Sequence, residues 1–500
     1  MVRGGCVEGV SYAPWTDALW WLLCGPDSVA RDELPDGVQG EIARLLPALG
    51  PAPVELDAGD DGQRRLFEAV VSLLGFMAQR TGFVLVVDDV HWVDPASREL
   101  LRYVAANLRR LPILIVVAYR PEDSVDEREL IAQLGRLGSY QTILERLPET
   151  EAAEIASYLL GDDAIPADIE RIARDADGNP LYVEELVAAS DEGVPHTVRD
   201  LMLVRFESLD GDARHLVRTA ALIGQRAPRA WLTSAAGLDD EQATAAARAA
   251  LDIGVLVADD DSYSFRHALL RQAVLDDLTP DDRVMLHRAC AEALADHTER
   301  AVGVDYVAEL ARHWDAAAVA GPALKWLVAA GRQAESRYAF DAAASMYERA
   351  LFWWETVDEP EVGAGIDRAA LLLATADAAG LAGHVEHAAD LGRAALEAAV
   401  GVGPSRGVEA AARVYPLLWT ADRATELFEY TSRTLTPVLD TVEPHARAAF
   451  LISTVQHLAD YAAPPEMLAA ADQMMDAIAA VDDLALAARA HSTMAQCYEI

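Results

Sequence analysis

Two adjacent aspartates, Asp88 and Asp89, follow a short apolar run and are the residues best suited to chemistry in this sequence. The run at Phe83–Val87 reads FVLVV, and its three β-branched residues are typical of a strand buried in a parallel sheet. Carboxylates at the carboxyl end of such a strand lie in the crevice where open α/β sheets bind ligands. One of them could hold Mg²⁺ and the other could orient an attacking water. The same pair is compatible with a solvated Asp-Asp turn without function.

A cation follows the next apolar run. Pro112–Tyr119 reads PILIVVAY, which predicts a second buried strand that ends directly before Arg120. With a helix predicted at Pro95–Leu108, strand, helix and strand make a right-handed parallel crossover. Arg120 should then stand at the same sheet edge as Asp88, where it could contact a γ-phosphate. A solvated arginine at a strand end is the alternative.

The elements that must position these residues come from the hydrophobic pattern. A helix is predicted at Gln63–Arg80, with one apolar face made of Leu66, Phe67, Val70, Leu73, Leu74 and Met77. An amphipathic helix begins near Pro14 after a turn-rich opening, and residues 25–62 read as a surface insertion rich in Gly, Pro and Asp. Gln141–Leu144 is a possible third strand.

Composition excludes several classes of protein. The 500 residues are 52% apolar, which is enough for several domains with sizeable cores. The net charge of −40 opposes direct binding to DNA or to an anionic membrane, because both require clustered Lys and Arg. The four cysteines lie far apart, and no apolar run reaches the ~20 residues of a membrane span. Neither a zinc site, a disulfide framework nor a membrane partner is expected, and a reducing cytoplasm fits.

Downstream, Gly178, Asn179 and Pro180 open the segment GNPLYVEEL. Gly and Asn can end one helix in the left-handed conformation, and Pro can begin the next. Helices are predicted before this break at Thr150–Leu160 and Ala167–Ala176. After it, Val255–Arg266 predicts a hairpin among short helices, which suggests a winged helix. This segment lacks a basic stripe, so a packing or regulatory module is expected.

Beyond about residue 302 the sequence is rich in alanine and has no strand signal. Leu324–Trp354 predicts two helices joined at Tyr338, with small residues at offsets that permit close packing, as in tetratricopeptide (TPR) repeats. Arg368–Ala399 and Ala446–Val481 predict further pairs. The expected architecture is an all-α solenoid after an α/β core with a partial parallel sheet.

Three other motifs compete for function. Gly403–Gly407 matches the G-x-S-x-G pattern of hydrolases around Ser405, but an alanine-rich helix precedes it where a nucleophile requires a strand. An interhelix linker is therefore expected here. His384 and His387 are spaced as possible metal ligands, although two such histidines on a repeat helix are usually solvated. The aromatic residues Phe352–Trp354 predict packing between repeats, with a ligand groove as the alternative.

The segments DDVHWVD at Asp88–Asp94, GNPLYVEEL at Gly178–Leu186 and FRHALLRQAV from Phe265, with the strand that ends at Arg120, resemble the large LuxR-type transcriptional regulators. These contain a STAND-class, AAA-like signalling ATPase with a P-loop NTPase fold, a winged helix and TPR-like repeats that sense a protein partner or a small-molecule inducer. The resemblance implies ATP and Mg²⁺ as cofactors and nucleotide-dependent self-association. It implies the metal at Asp88, catalysis by Asp89 with Arg120 as sensor, and nucleotide contacts at Gly178, Asn179, Pro180 and His267. The implied domains are a core at 1–145, a helical lid at 146–194, a winged helix at 195–300 and repeats at 301–500.

The family's phosphate-binding loop has no counterpart here. No G-x-x-x-x-G-K-[ST] occurs, and Lys325 in a repeat helix is the sole lysine. The family's carboxy-terminal helix-turn-helix has no counterpart either. Three interpretations stay open: an N-terminally truncated regulator that is inactive without the loop, a degenerate ATPase core that serves as a protein scaffold, and a different enzyme that uses the acidic sheet edge.

Overall fold

The computed structural model describes residues 2–6, 10–24, 33–35, 37–53, 60–108, 111–119, 125–161, 164–188, 206–259, 261–296, 305–461 and 464–499. The chain forms two compact units, one of Met1–Ser139 with Ala320–Ile500 and one of Tyr140–Val319. Among the described residues, no helix combines the length and the apolar character needed to cross a membrane.

The first unit begins with an α/β part. Its elements are β1 (Val2–Gly5), α1 (Ala13–Cys24), α2 (Val38–Ile42), α3 (Asp60–Arg80), β2 (Phe83–Asp88), α4 (Pro95–Asn107), β3 (Ile113–Val117) and α5 (Val125–Arg136). The predicted α3 face is buried except for the half-buried Met77, and α3 packs against α2 and α4.

The sheet is parallel, in the order β1-β2-β3, with Gly5 aligned with Asp88 and Val87 aligned with Val117. This confirms the predicted parallel strand-helix-strand arrangement around the aspartates. The sequence did not predict β1, because its four residues include two glycines and show no alternation.

One face of β3 is exposed among the described residues, which corrects the prediction that this strand is buried. Leu85 and Val87 of β2 are buried, but Leu114 and Val116 of β3 are 59% and 41% exposed. Strands of parallel sheets normally have helices on both faces. Within the described residues, no strand pairs with β3 on the side away from β2.

The rest of the first unit is helical. Its elements are α15 (Ala320–Ser336), α16 (Phe340–Trp354), α17 (Pro360–Ala364), α18 (Arg368–Leu381), α19 (Val385–Val402), α20 (Pro404–Thr420), α21 (Ala424–Thr434), α22 (Pro444–Tyr461), α23 (Pro464–Ala479) and α24 (Leu484–Glu499). The three predicted helix pairs are confirmed as α15–α16, α18–α19 and α22–α23. A Cβ at Gly331 would come within 2.3 Å of the Tyr347 ring, so a small residue here does permit close packing. The pair α20–α21 was not predicted.

The second unit contains α6 (Glu149–Leu160), α7 (Pro166–Asp175), α8 (Pro180–Ala188), α9 (Gly211–Ile223), β4 (Arg226–Pro228), α10 (Arg229–Ala235), α11 (Asp240–Asp252), β5 (Leu256–Asp259), β6 (Ser262–Phe265), α12 (Ala268–Asp277), α13 (Pro280–Asp296) and α14 (Tyr306–Ala316). The predicted hairpin is confirmed as β5–β6, and β4 adds to it to give an antiparallel sheet in the order β4-β6-β5.

The predicted third strand at Gln141–Leu144 is wrong. Residues 139–148 contain no strand, and Tyr140, Ile143 and Leu144 are almost wholly exposed. An apolar run becomes a strand only where a neighbour supplies a ladder of hydrogen bonds. Within the described residues of this unit, no strand lies along it.

Candidate functional site

The two aspartates lie at the carboxyl end of the central strand β2. The Cys6 amide of the β1 side donates to the Asp88 carbonyl at 3.3 Å, and the Ala118 amide beyond β3 donates to the Val87 carbonyl at 3.0 Å. The Val90 amide then donates to the Ala118 carbonyl at 3.0 Å. The backbone on either side of the acidic pair is therefore fixed by both neighbouring strands.

Asp89 turns the chain sharply as it leaves the sheet. Its backbone is left-handed, with φ 54° and ψ 45°, which costs an L-residue other than glycine about 1–2 kcal/mol. The Asp89 amide donates to the Asp88 Oδ1 at 3.1 Å, and the Asp89 side chain is 42% exposed. The turn thus leaves an accessible carboxylate beside Asp88.

His91 lies behind Asp89 in the same loop. Its side chain is only 6% exposed, and its Nε2 is 3.8 Å from the Asp89 Oδ1. Neither ring nitrogen has a hydrogen-bond partner among the described residues, and the ring packs on Trp92 with centroids 4.6 Å apart. A buried imidazole without a partner is costly, so this histidine is a candidate site residue that the sequence did not reveal.

Asp94 closes the loop and starts α4. Its carboxylate accepts from the Ser97 amide at 2.9 Å as an N-cap and from the Tyr12 amide at 3.1 Å. Burial raises the pKa of the Asp94 carboxyl, while these hydrogen bonds act in the opposite direction. The order Asp94-Pro95 before an amphipathic run is a helix-start signal from which this structural role could have been predicted.

Cys6 lies next to the acidic edge, which is the carboxyl end of β2 with Asp88 and Asp89. Burial, followed by the negative charges of Asp94, Asp89 and Asp88, raises the pKa of the Cys6 thiol to about 12. The thiol is therefore neutral and inert at physiological pH.

Arg120, the predicted sensor, lies outside the described residues. The arrangement of that residue with the aspartates stays a prediction.

The GNP segment lies in the second unit. Gly178 has φ +71°, and a Cβ there would come 2.4 Å from the Leu147 carbonyl oxygen, so glycine is required. The Leu147 amide donates to the Gly178 carbonyl at 2.8 Å. Asn179 accepts from the Leu181 amide through its side chain, and Pro180 begins α8, as the helix-break interpretation predicted.

The structure brings His267 to the same segment. Its Nε2 lies 3.3 Å from the Oε1 of Glu185, a residue of GNPLYVEEL whose side chain is 6% exposed. Two motifs that are far apart in sequence therefore meet within this unit. Contact of His267 with a phosphate stays a prediction.

The competing motifs have structural roles. Ser405 lies in the first turn of α20, so the predicted interhelix linker is wrong here, and the element before it is the helix α19, which excludes a nucleophile that needs a strand. His384 and His387 each face a carboxylate of α16, Asp341 at 3.1 Å and Glu348 at 2.6 Å, and both are more than half exposed. In the aromatic cluster Trp354 is buried, whereas Phe352 is 59% exposed and packs on Trp353 and Arg349.

The donor set at the acidic edge fits Mg²⁺ only in part. Carboxylate oxygens are the ligands that Mg²⁺ prefers, and the ion usually keeps several waters and binds substrate phosphates. Within the described part of the chain, no three His, Cys, Asp or Glu side chains are grouped to hold a metal. Asp88 would hold the ion at this edge, and most of its other ligands would be water or phosphate.

Comparison with known proteins finds a family match in the amino-terminal part of the chain. Residues 1–117 match the family model of the AAA ATPase domain. Uncharacterized protein R02095 of Rhizobium meliloti (strain 1021) is 27% identical over 405 residues, which are 74% of this chain and 38% of that protein.

The fold resembles that of a solved structure. The signal transduction ATPase with numerous domains (STAND) protein PH0952 of Pyrococcus horikoshii has a tetratricopeptide repeat sensor and matches with a TM-score of 0.50 at 13% identity. The match covers 96% of this chain and 65% of that one. The Walker-type ATPase PABY2304 of Pyrococcus abyssi is also similar, with a TM-score of 0.21, 14% identity and coverage of 55% and 84%. The domain match places an AAA ATPase-like domain in residues 1–117, and the likeness to PH0952 shows a similar fold whose carboxy-terminal part is helical.

Proposed function

We propose that this chain is the nucleotide-dependent signalling part of a STAND-type transcriptional regulator. The observation that carries the proposal is the pair Asp88 and Asp89 at the carboxyl end of a central parallel strand, within residues that match an AAA ATPase domain. This is where open α/β sheets bind ligands.

The two carboxylates have different tasks in this proposal. Asp88, whose Oδ1 accepts from the Asp89 amide, holds Mg²⁺, and bound Mg²⁺ neutralises charge on the β- and γ-phosphates. Asp89, which is more than two-fifths exposed, orients the attacking water. The His91 Nε2 lies 3.8 Å from the Asp89 Oδ1, beyond hydrogen-bond distance, and protonation of the ring would place a positive charge beside this carboxylate.

ATP also requires a loop of backbone amides and a lysine around its phosphates, which these 500 residues do not contain. We propose that a strand with such a loop pairs with the open edge of β3. The helix that follows the loop would pack on the face of the sheet and cover the apolar side chains of Leu114 and Val116, which are 59% and 41% exposed. Without the loop, about three charge-assisted contacts are lost, which amounts to ~5–9 kcal/mol.

The second unit and the repeats complete the proposal. The GNP segment at Gly178 contacts the adenine side of the nucleotide, and β4–β6 with their helices form a winged-helix module. The helical repeats bind a protein partner or a small-molecule inducer. Transcriptional output comes from a DNA-binding domain outside these residues, because a net charge of −40 opposes contact with DNA.

One observation favours a second function. The sequence has no phosphate-binding loop with a lysine, and an ATPase core that has lost its function would show the same feature. Such a core would stabilise the repeats as a protein-interaction scaffold and would bind no nucleotide in any form.

Calorimetric titration with Mg-ATP separates the two. We expect the 500-residue chain to bind with a dissociation constant no tighter than ~10 μM, and a form preceded by a phosphate-binding strand, loop and helix to bind at least ~10²-fold more tightly. Equal, weak affinity in both forms would favour the scaffold. Tight binding by the 500 residues alone would show that the loop is not needed and would refute this account.

A further inference from the structure

A turn of the first helical repeat is inserted into the α/β part of the same unit. The turn joins α15 to α16 and places Tyr338 in the left-handed conformation, with φ 60°. Tyr338 is only 1% exposed, although it lies in a turn. A bulky residue in this conformation is strained, so the surrounding contacts must hold it there.

The tyrosine ring lies against the backbone of α3 at Gly62. A Cβ at Gly62 would come 2.4 Å from both the Cε1 and the hydroxyl oxygen of Tyr338. No real Cβ tolerates such a distance, so only glycine at position 62 leaves room for the ring. The fit is specific to this pair of residues.

Two buried arginines connect the turn to the α/β part, and one of them, Arg44, lies over the ring. The Arg44 side chain is 5% exposed, its guanidinium lies 5.3 Å from the Tyr338 ring centroid, and its Nη1 donates to the Ser336 carbonyl at 3.3 Å. Arg337, which is 9% exposed, donates from Nε to the Arg44 carbonyl at 3.2 Å. The Glu41 Oε2 lies 2.9 Å from the Arg44 Nε and offsets the charge of this guanidinium. Each arginine thus donates a hydrogen bond to the backbone of the other segment. Such charge-assisted hydrogen bonds are strong and directional, so they fix the geometry of the contact.

A chain of contacts joins this point to the acidic edge. Gln63, the neighbour of Gly62, donates to the Glu99 Oε2 on α4 at 3.1 Å, and Phe67 packs on Tyr103 with centroids 5.5 Å apart. The N-cap of α4 is Asp94, which ends the loop that begins at Asp89.

We propose that Tyr338 is a wedge that couples the helical repeats to the loop of Asp89–Asp94. A change at the repeats that moves α15 relative to α16 withdraws the ring from Gly62 and loosens α3, α4 and that loop. The inference rests on the proposed function only in taking this loop as part of a nucleotide site. Its test uses no nucleotide, so failure of the wedge and failure of nucleotide binding are distinguishable.

The test is hydrogen-deuterium exchange of the 500-residue chain, followed by mass spectrometry. Gly62→Ala adds the methyl group that displaces the ring, and Gly75→Ala is the matched control. Both substitutions favour the helix, and a Cβ at Gly75 meets only the flexible end of Leu111 at 3.3 Å. Tyr338→Ala removes the wedge from the other side and carries the test if Gly62→Ala does not fold.

We expect exchange in peptides of residues 334–342 and of residues 89–94 to become at least ~10-fold faster in Gly62→Ala and in Tyr338→Ala, but not in Gly75→Ala. If only residues 334–342 respond, the contact is packing without coupling and the proposal is wrong. If Gly62→Ala and Tyr338→Ala behave like Gly75→Ala at both sites, the ring is not a wedge.

Discussion

The buried histidine pair of the second unit should make that unit sensitive to acid. His287 of α13 and His313 of α14 face each other with their Nδ1 atoms 2.8 Å apart, and His313 is fully buried. Burial, with Arg312 and Arg283 nearby, lowers the pKa of His287 to about 4. Burial, Arg312 and His287 lower the pKa of His313 well below its ordinary value. Glu309, which is 3.5 Å from the His313 Nε2, does not offset these effects.

The sign of the effect follows from proton linkage. A histidine whose folded pKa is depressed binds a proton more readily in the unfolded chain, so its contribution to stability is complete above the ordinary pKa and is lost as the pH falls. The pKa of His287 in the folded chain is about 4. Proton linkage then predicts that the free energy of unfolding falls by about 2 kcal/mol between pH 7 and pH 5. Burial also lowers the pKa of His313, so its protonation destabilises this unit in the same pH direction.

Between pH 7 and pH 5, we expect the stability of this unit to fall by about 2 kcal/mol less in His287→Asn than in the unsubstituted chain. The asparagine amide keeps a polar atom near the Nδ1 position but does not titrate. Hydrogen exchange of α13 and α14 peptides in the equilibrium regime reports the local free energy of opening at each pH. His445→Asn, in the His445–Asp483 contact of the repeats, is the control that should leave the second unit unchanged. Equal pH dependence with and without His287 would refute the assignment.

Two further predictions concern the acidic edge and the charge of the chain. The pKa of the Cys6 thiol is raised to about 12, so Cys6 should resist iodoacetamide at pH 8 in the folded chain and react in urea. Site-resolved mass spectrometry would show both results. Rapid alkylation of Cys6 in the folded chain would contradict its burial. The isolated chain should give no sequence-selective, salt-sensitive gel shift with duplex DNA at physiological salt, because its net charge is −40 and repels phosphate.

Local sequence signals predicted the elements that carry the aspartates. The helices α3 and α4 have periodic apolar faces, and β2 is a continuous apolar run that ends in two aspartates, so each of them has a signal in its own segment of the sequence. The left-handed turn at Asp89 and the burial of His91 could not be predicted, because both depend on contacts with β3 and with the loop itself.

Elements that depend on a neighbour were harder to predict. Gln141–Leu144 has the composition of a strand but no partner within the described residues of its unit, and β1 has a partner but almost no side-chain signal. Gly403–Gly407 was predicted as an interhelix linker, but Pro404 is the first residue of α20, a position that proline favours. The wedge at Tyr338 depends on Gly62, which lies 276 residues earlier by the difference of the two positions, and no pattern in a single sequence joins them.

The most direct test of the acidic edge compares Asp88→Ala with Asp89→Asn in a form of the protein that also carries a phosphate-binding loop. Asp88→Ala should weaken Mg-ATP binding, because the metal loses the carboxylate that places it. Asp89→Asn should bind nucleotide almost normally but hydrolyse it at least ~10²-fold more slowly, the usual size of an acid-base contribution. If both variants bind and hydrolyse ATP like the unsubstituted protein, Asp88 and Asp89 are only the polar end of a strand and the proposed function is wrong.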